Sequence, residues 1–435
     1  MNFSSCLQSV KNASLTSVCG RVNQVIGMVI ESNGPAISVG GVCEVEISGG
    51  ASRIPAEVVG FRDDRILLMP LGEMRGVEPG SLIRMIDAQA RAPVAESLLG
   101  RVIDGLGNPV DGKGPLLTEE SYPLYAMPLN PMKRDRILEP VDVGVRAING
   151  LLTLGKGQRI GILAGSGVGK SVLLGMIARH TAADVSVVAL IGERGRELRD
   201  FIERDLGPEG LARSVVVVAT SDQPPLVRLR GAYLATAISE FFRDQGRDVV
   251  FMMDSVTRFA MSSREVGLAI GEPPTSRGYT PSVFSQLPKL LERAGTCHGK
   301  GSITGIYTVL VEGDDMNEPI ADAVRSIVDG HIVLSRDLAS RGHYPAIEVL
   351  TSVSRCMTDV VSPEQVDFAR RFQETLAVYR HSEDLINIGA YAKGSSAQID
   401  YSIKMIDKMN LYLRQQVMER SSIEESSADL TELFS

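Results

Sequence analysis

Apolar and polar residues alternate in short runs over residues 19 to about 87, and most of these runs end in Gly, Asn or Asp. The runs read GRVNQVIGMVIE, AISVGG, CEVEIS, IPAEVVGF and DRILLMPL. A period of two residues predicts strands with one buried face, and the turns between them favour antiparallel neighbours. The pattern therefore predicts a small β-barrel or sandwich. The Gly-rich stretch from Gly80 to Leu116, with its turns DGLGNP and DGKGP, predicts a connector.

A second pattern begins near Gly155, where fully apolar runs recur along the chain. These runs lie in RIGILAG, VSVVALIG, SVVVVAT, DVVFMMD, SITGIYTVL and HIVLS. Segments with helical spacing, such as SVLLGMIARH and GAYLATAISEFFRDQG, separate several of them. Strands that are apolar throughout and alternate with helices predict a parallel sheet that is covered on both faces.

The strand pattern ends near Val360, and helical signals replace it. Ser362, Pro363, Glu364 and Gln365 fit a capping box with Pro at the first helical position. Helical spacing then relates Ile399, Ile403, Ile406, Met409 and Leu413. We therefore predict a multidomain chain that starts with a short segment at 1–18. A β-barrel domain at 19–90, an α/β domain at 91–358 and a C-terminal α-helical domain at 359–435 follow.

Composition and charge narrow the class of function. The 435 residues are 44% hydrophobic, which is enough apolar material for sizeable cores. The net charge of −8 argues against a nucleic-acid partner, because phosphate neutralisation needs a basic surface. The five cysteines are scattered without CxxC spacing, which indicates reduced thiols. With no apolar run of membrane-spanning length and no signal core, we expect a cytoplasmic protein.

The strongest chemical signal is a Gly-rich segment between a predicted strand and a predicted helix. It consists of Ala164, Gly165, Ser166, Gly167, Val168, Gly169, Lys170 and Ser171, with Val172 next. This spacing is that of a P-loop, whose backbone N–H groups surround phosphate oxygens at a helix N-terminus. In such a loop Lys170 contacts the β- and γ-phosphates of ATP and the Ser171 hydroxyl ligates Mg²⁺. The first position departs from the pattern, since Ala164 stands where Gly is usual.

Two carboxylates at predicted strand ends are candidates for the chemistry. Asp254 ends the run DVVFMMD, from which it would hold Mg²⁺ through water. Glu193 follows the run VSVVALIG, and a position beside the γ-phosphate would let it orient the attacking water. The alternative for Glu193 is a solvated helix start, where Glu is favoured by the helix dipole. The residues alone leave these two interpretations of Glu193 open.

A further positive charge is needed to stabilise the transferring phosphoryl group. Arg355 follows the last predicted strand of the α/β domain, in the segment SVSR. It is a candidate arginine finger that acts across a subunit boundary. A surface ion pair is the alternative, and spacing alone favours it.

Longer segments carry a resemblance to a known family. GSGVGKS, ALIGERGRELRDFIE, MMDSVTRFAMSSREVGLAIGEPPTSRGYTPSVF, EGDDMNEPIADAVRSIVDGHIVLSR and HYPAIEVLTSVSR resemble the RecA-like core of rotary-type hexameric ATPases. The match extends over the whole chain. Within that superfamily the chain is most similar to flagellar protein-export ATPases, relatives of the type III secretion (injectisome) ATPases. GEPPTSRGYTPSVF and EGDDMNEPIAD separate this branch from catalytic subunits of ATP synthase, and DLINIGAYAKGS favours the flagellar side.

The resemblance implies roles for single residues. Glu193 falls on the catalytic glutamate and Arg194 on its phosphate-contacting neighbour. Asp254 falls on the aspartate linked to Mg²⁺, and Arg258 on a second arginine at the phosphates. The resemblance also places Arg355 on the finger between subunits, and Tyr344 on the aromatic residue that stacks against adenine.

The resemblance further implies a homohexamer with Mg-ATP in its sites and a coiled-coil stalk protein in its pore. A regulatory dimer would bind the N-terminal segment, where Phe3, Leu7 and Val10 form a weak helical stripe. The acidic loop at 312–315 is a candidate contact in the pore, and a solvated loop is an equally good interpretation. Export cargo and chaperones would be handled at an export gate, so we expect peripheral attachment at the inner face of the cell membrane.

Other functions are weighed against flagellar export. An injectisome ATPase is the nearest alternative, and a catalytic subunit of a rotary ATP synthase is a further one that would need a different partner chain. A nucleic-acid translocase is disfavoured by the acidic charge and by the absence of a basic, aromatic-rich barrel. A non-catalytic nucleotide-binding scaffold is disfavoured by Glu193.

Overall fold

A computed structural model describes residues 18–47, 52–118, 120–311, 313 and 315–435. The predicted regulatory stripe of Phe3, Leu7 and Val10 therefore lies outside the described residues. The same holds for Glu312 and Asp314 of the predicted pore loop. No helix within the described ranges is long and apolar enough to cross a membrane.

The N-terminal part forms a closed six-stranded antiparallel barrel in the order β1-β2-β5-β4-β3-β6. The strands are β1 (Cys19–Ile26), β2 (Val29–Asn33), β3 (Val42–Ile47), β4 (Ser52–Arg62), β5 (Arg65–Pro70) and β6 (Leu82–Asp87). The predicted barrel is confirmed, with two corrections. AISVGG is not a strand, since residues 36–38 are irregular and a turn follows at Val39 and Gly40. The sixth strand, β6, comes from the stretch we predicted to be a connector, and it closes the barrel by pairing with β1 and β3.

The central part contains a nine-stranded sheet. The remaining strands of the chain are β7 (Arg91–Val94), β8 (Arg101–Asp104), β9 (Glu120–Pro123), β10 (Pro140–Val141), β11 (Leu154–Gly155), β12 (Arg159–Ala164), β13 (Val185–Ile191), β14 (Ser214–Ala219), β15 (Val249–Asp254), β16 (Gly295–Thr296), β17 (Ser302–Leu310), β18 (Gly330–Leu334) and β19 (Val353–Ser354). The sheet runs β19-β18-β12-β17-β15-β13-β14-β8, with β16 paired to β17. Neighbouring strands of this sheet are parallel except for the pairs β16–β17 and β18–β19, which are antiparallel. A mostly parallel sheet fits strands that are buried on both faces. Strand β8, at the edge of this sheet, also lies in the predicted connector. The prediction of a connector is therefore wrong for these residues too.

Helices cover both faces of the sheet and form the C-terminal domain. They are α1 (Arg146–Leu151), α2 (Lys170–His180), α3 (Gly195–Asp200), α4 (Gly207–Ala212), α5 (Pro225–Asp244), α6 (Val256–Ile270), α7 (Pro281–Leu291), α8 (Pro319–Ile327), α9 (Arg336–Ser340), α10 (Met357–Val360), α11 (Pro363–Asn387), α12 (Ala397–Leu413) and α13 (Ile423–Phe434). A π-helical turn at Phe201–Leu206 joins α3 to α4. The long helix α5 is almost entirely buried, because it packs on β13, β14 and β15 and against α6.

The long helix α11 begins at Pro363, directly after the predicted cap residue Ser362. The Ser362 side chain accepts a hydrogen bond from the Gln365 backbone N–H, and Pro363 occupies the first turn of α11. The reciprocal half of the predicted capping box is not made. Instead, the Gln365 amide donates to the carbonyl oxygens of Asn149 and Gly150 and so joins α11 to α1.

Candidate nucleotide and hydrolysis site

The P-loop lies between β12 and α2, at the carboxyl edge of the sheet. Gly167 and Gly169 have φ angles of +80° and +89°, which residues with a Cβ rarely adopt. Lys170 begins α2, and Ser166, Gly167 and Ser171 are exposed to solvent. The loop therefore presents N–H groups and a helix N-terminus to an anion.

The unusual first position of the loop has a simple explanation. Ala164 is the last residue of β12, 1% exposed, and pairs with β17 and β18. Its backbone is extended, so a Cβ fits there without the strain that a positive φ would impose. The departure from the usual Gly leaves the loop geometry intact.

Three neighbouring strands bring their chemical groups together beside Lys170. The Lys170 Nζ lies 2.5 Å from Asp254 Oδ1 at the end of β15. It also lies 3.8 Å from Glu193 Oε1, which follows β13. Thr308 of β17 donates a hydrogen bond of 2.8 Å to Asp254 Oδ1. The predicted convergence of Lys170, Asp254 and Glu193 is thus what the sheet order produces.

The environment of Glu193 changes its acidity. The pKa of the Glu193 carboxyl is raised to about 7, first by burial and then by the negative charge of Asp254, while Lys170 opposes both. Its Oε1 is buried and accepts no hydrogen bond from the described residues. A carboxylate with a free acceptor and a pKa near neutrality suits a group that orients water or takes up a proton.

The two arginines near Glu193 differ in placement. Arg258, in the first turn of α6, lies against the backbone of Gly192, the residue before Glu193. Its Nε is buried and finds no hydrogen-bond partner among the described residues. Arg194 has a side chain that is 82% exposed and forms an ion pair with Glu197 at 3.7 Å. The structure therefore brings Arg258 to the site, whereas Arg194 points into solvent.

Arg355 lies at the opposite edge of the sheet from the P-loop. Its backbone N–H donates to the Asp329 carbonyl at 3.0 Å, and its Nη1 to the Val328 carbonyl at 3.4 Å. The Asp329 carboxylate is bound by Arg159, the first residue of β12, whereas the P-loop follows the last. The two ends of β12, at Arg159 and Ala164, lie about 16 Å apart. The Arg355 guanidinium does not reach the P-loop of its own chain.

A cavity of about 1130 Å³ extends from the P-loop towards the helical domain. The Tyr344 ring lies beside Gly169 and forms one wall together with Val172. Leu411 and Val417 of the helical domain also line the cavity. All four side chains are more than a third exposed, so an apolar surface faces the cavity without a covering group among the described residues. A flat heterocyclic base matches such a surface.

Comparison with known proteins agrees with this geometry. Residues 22–86 match the β-barrel domain of the ATP synthase alpha/beta family, and residues 144–354 match its nucleotide-binding domain. Residues 361–432 match the C-terminal domain of the T3SS EscN ATPase. The chain is 56% identical to the flagellum-specific ATP synthase of Bacillus subtilis, across 95% of this chain and 94% of that protein. It is 48% identical to the type 3 secretion system ATPase of Xanthomonas euvesicatoria, across 95% and 93%.

Among solved structures, assembled EscN from enteropathogenic Escherichia coli superposes with a TM-score of 0.90 at 45% identity. That match covers 96% of this chain and 100% of EscN. EscN in complex with its central stalk EscO gives 0.88 at 44% identity. The chain belongs to the family of flagellum-specific and type III secretion ATPases. The predicted fold class, the ATPase class and the flagellar resemblance are therefore confirmed.

The site of this family member also fits a magnesium ion brought by a nucleotide. The described residues contain no group of three or more His, Cys, Asp or Glu side chains that could hold a metal. They do offer the exposed Ser171 hydroxyl and the Asp254 carboxylate, both oxygen donors beside the P-loop. Mg²⁺ typically binds through one or two such groups, with phosphates and water completing its shell.

Sequence reasoning missed two parts of this ATPase site. Thr308 anchors Asp254, and its only signal is a hydroxyl in an otherwise apolar buried strand. The contribution of Leu411, Gln416 and Val417 to the cavity has no local signal, because nothing in their spacing relates them to a P-loop more than 230 residues earlier.

Proposed function

We propose that this chain hydrolyses Mg-ATP as a ring of identical copies, with each site completed by a neighbouring copy, and that this drives flagellar type III protein export. The observation that carries the proposal is the separation of Arg355 from its own P-loop. Lys170, Asp254 and Glu193 converge at one edge of the sheet, while the candidate finger projects from the other. A head-to-tail arrangement brings the finger edge of one copy to the P-loop edge of the next and closes into a ring.

In this mechanism the P-loop backbone from Gly165 to Ser171 and Val172 of α2 hold the nucleotide. With a nucleotide bound, Lys170 would leave Asp254 for the β- and γ-phosphates. The Ser171 hydroxyl and, through water, the Asp254 carboxylate would then hold Mg²⁺. Mg²⁺ when bound supplies positive charge to the phosphate oxygens.

Glu193 orients the attacking water and accepts its proton. Arg258 supports the γ-phosphate from the Gly192 side, and Arg194 reaches it only after turning inwards. Arg355 of the neighbouring copy stabilises the transition state, and Tyr344 stacks on the adenine.

The proposed assembly follows the relatives. The assembled EscN and its complex with a central stalk support a ring with a coiled-coil stalk protein in its pore, and we propose a homohexamer. The higher identity to a flagellum-specific ATP synthase than to a type 3 secretion system ATPase supports a flagellar over an injectisome role.

We further propose a regulatory dimer at segment 1–18 and contact with export gate, chaperones and cargo, with no nucleic-acid partner. In this proposal the ring lies in the cytoplasm, peripherally at the inner face of the cell membrane. The division into domains at 19–90, 91–358 and 359–435 is also part of the proposal.

Mixing two inactive variants tests the shared site. Lys170→Ala removes the P-loop cation but keeps the finger, and Arg355→Ala removes the finger but keeps the P-loop. Each alone should lose about 10³-fold or more in ATPase activity. Randomly mixed rings place an intact finger against an intact P-loop at about a quarter of their interfaces, so activity should return to a similar fraction.

The control for this mixture is the double variant Lys170→Ala/Arg355→Ala mixed with Arg355→Ala, which offers no intact interface and should stay inactive. Activity of wild-type chain per subunit should also rise steeply with protein concentration. A wild-type chain that binds ATP but never turns over alone would contradict the self-sufficient ring and favour an ATP-synthase subunit that needs another chain.

A further inference from the structure

The segment Arg414–Ser421, which joins α12 to α13, forms one wall of the nucleotide cavity. Gln415, Gln416, Val417 and Glu419 all line it. The segment also touches the far end of the P-loop helix, where Arg179 Nη1 donates to the Val417 carbonyl at 3.3 Å. The helical domain is therefore in direct contact with both the base end of the cavity and α2.

Gln415 is the residue that fastens this segment to the rest of the cavity. Its backbone N–H donates to the Tyr344 carbonyl at 3.0 Å. Its side-chain Nε2 donates to the carbonyls of Gly144 and Glu419, each at 2.8 Å. Its Oε1 accepts from the backbone N–H of Arg146 at 2.7 Å.

Gln415 is 6% exposed, and its three side-chain bonds fix the place from which its own N–H meets Tyr344. The Tyr344 ring is half-exposed, so few neighbouring side chains hold it in place. The hydrogen bond from the Gln415 N–H to the Tyr344 carbonyl connects this residue to the helical domain. A stacking ring contributes affinity only when it is held at the right height and angle over the base.

We propose that Gln415 is a positioning residue for the adenine base, which acts by holding Tyr344 through the helical domain. The inference rests on the proposed stacking of adenine on Tyr344. It assigns base recognition partly to the C-terminal domain, with phosphate recognition left to the P-loop. Base binding then fixes the 414–421 segment relative to the P-loop helix.

The test separates base binding from phosphate binding by comparing ATP with inorganic tripolyphosphate. In Gln415→Ala the KM for Mg-ATP should rise about tenfold, while kcat stays within about twofold. Inhibition by Mg-tripolyphosphate, which has no base, should be unchanged. Gln415→Met keeps the side-chain volume but none of the side-chain bonds, so it should show the same split if the alanine variant is unstable. Gln398→Ala, an exposed amide on α12, serves as the matched control.

Tyr344→Ala and the double variant distinguish the inference from the function on which it rests. Tyr344→Ala should raise the KM for ATP, and adding Gln415→Ala should raise it little further, because both changes remove the same stacking. If Tyr344→Ala alone leaves the KM unchanged, the proposed base site fails. A raised KM in Tyr344→Ala but a normal one in both Gln415 variants overturns the role of Gln415. Equal weakening of ATP and tripolyphosphate by the Gln415 variants also overturns it, since that result indicates a general loss of structure.

Discussion

The phosphate end and the base end of the nucleotide cavity are built in different ways. At the phosphate end a single contiguous loop supplies most groups, and the ends of adjacent parallel strands supply Asp254, Glu193 and Thr308. At the base end the walls come from α2, from the Tyr344 loop and from the segment between α12 and α13. One end is fixed by sheet geometry, whereas the other depends on how two domains pack.

The two ends also use different forces. Charges lie within 4 Å of one another at the phosphate end, in a place where burial strengthens their interaction. The base end offers apolar surface, and each apolar group that the base covers adds a small amount of binding free energy. Changes at the phosphate end should therefore reduce turnover by large factors, and changes at the base end should raise KM by small ones.

Glu193→Gln should produce the largest effect of the changes considered next. The amide keeps the shape of the side chain but cannot accept a proton, so kcat should fall about 10²–10⁴-fold. ATP binding, measured directly with a fluorescent nucleotide, should stay within a few-fold of wild type, because Lys170 and the loop are untouched. Normal turnover in this variant would remove Glu193 from the mechanism and blur the contrast between the two ends.

Asp254→Asn should act through the metal. The variant loses the carboxylate that we propose holds metal-bound water, so the Mg²⁺ concentration for half-maximal activity should rise about 10–100-fold. Asp248→Asn makes the same change just before the other end of β15 and should leave the Mg²⁺ dependence as it is. An unchanged Mg²⁺ requirement in Asp254→Asn would mean that this carboxylate serves only to hold Lys170.

The acid limb of the pH profile should report Glu193. Since its pKa is raised to about 7 and the ionised form is the active one, kcat/KM should fall about tenfold per unit below pH 7. Asp254→Asn should shift this limb to lower pH, because the Asp254 charge helps to raise the Glu193 pKa. A limb that ends near pH 4.5 in wild type would show that burial does not perturb Glu193.

The raised pKa of Glu193 also makes the stability of the fold depend on pH. The folded chain binds the Glu193 proton more tightly than the unfolded chain, whose pKa is about 4.5. The contribution of this group to the free energy of unfolding therefore declines as pH rises from about 4.5 to 7. Glu193→Gln removes that decline, so at pH 8 the variant should melt no lower than wild type.

How far the sequence predicts the site follows from the same contrast. Lys170 and Ser171 lie in a loop whose residue spacing itself predicts the geometry. Asp254 ends one apolar run and Glu193 follows another, and the structure shows that these two runs are neighbouring strands. Residue patterns do not encode the packing of the helical domain on α1 and α2, so Gln415 and Val417 carry no signal. The strands β6 and β8 were missed for a related reason. Both lie in a Gly-rich stretch whose turns predicted a connector, and only pairing with distant strands shows their place.

Val417→Ala should give the smallest effect and tests the base end most narrowly. Val417 is 40% exposed in the cavity wall, and a bound base would cover it. Losing two methyl groups of covered surface should raise the KM for ATP about three- to tenfold at constant kcat. Val110→Ala, at an exposed valine outside the cavity, is the matched control. If Val417→Ala lowers kcat and leaves KM unchanged, the helical domain influences catalysis instead of binding the base, and the division between the two ends of the cavity does not hold.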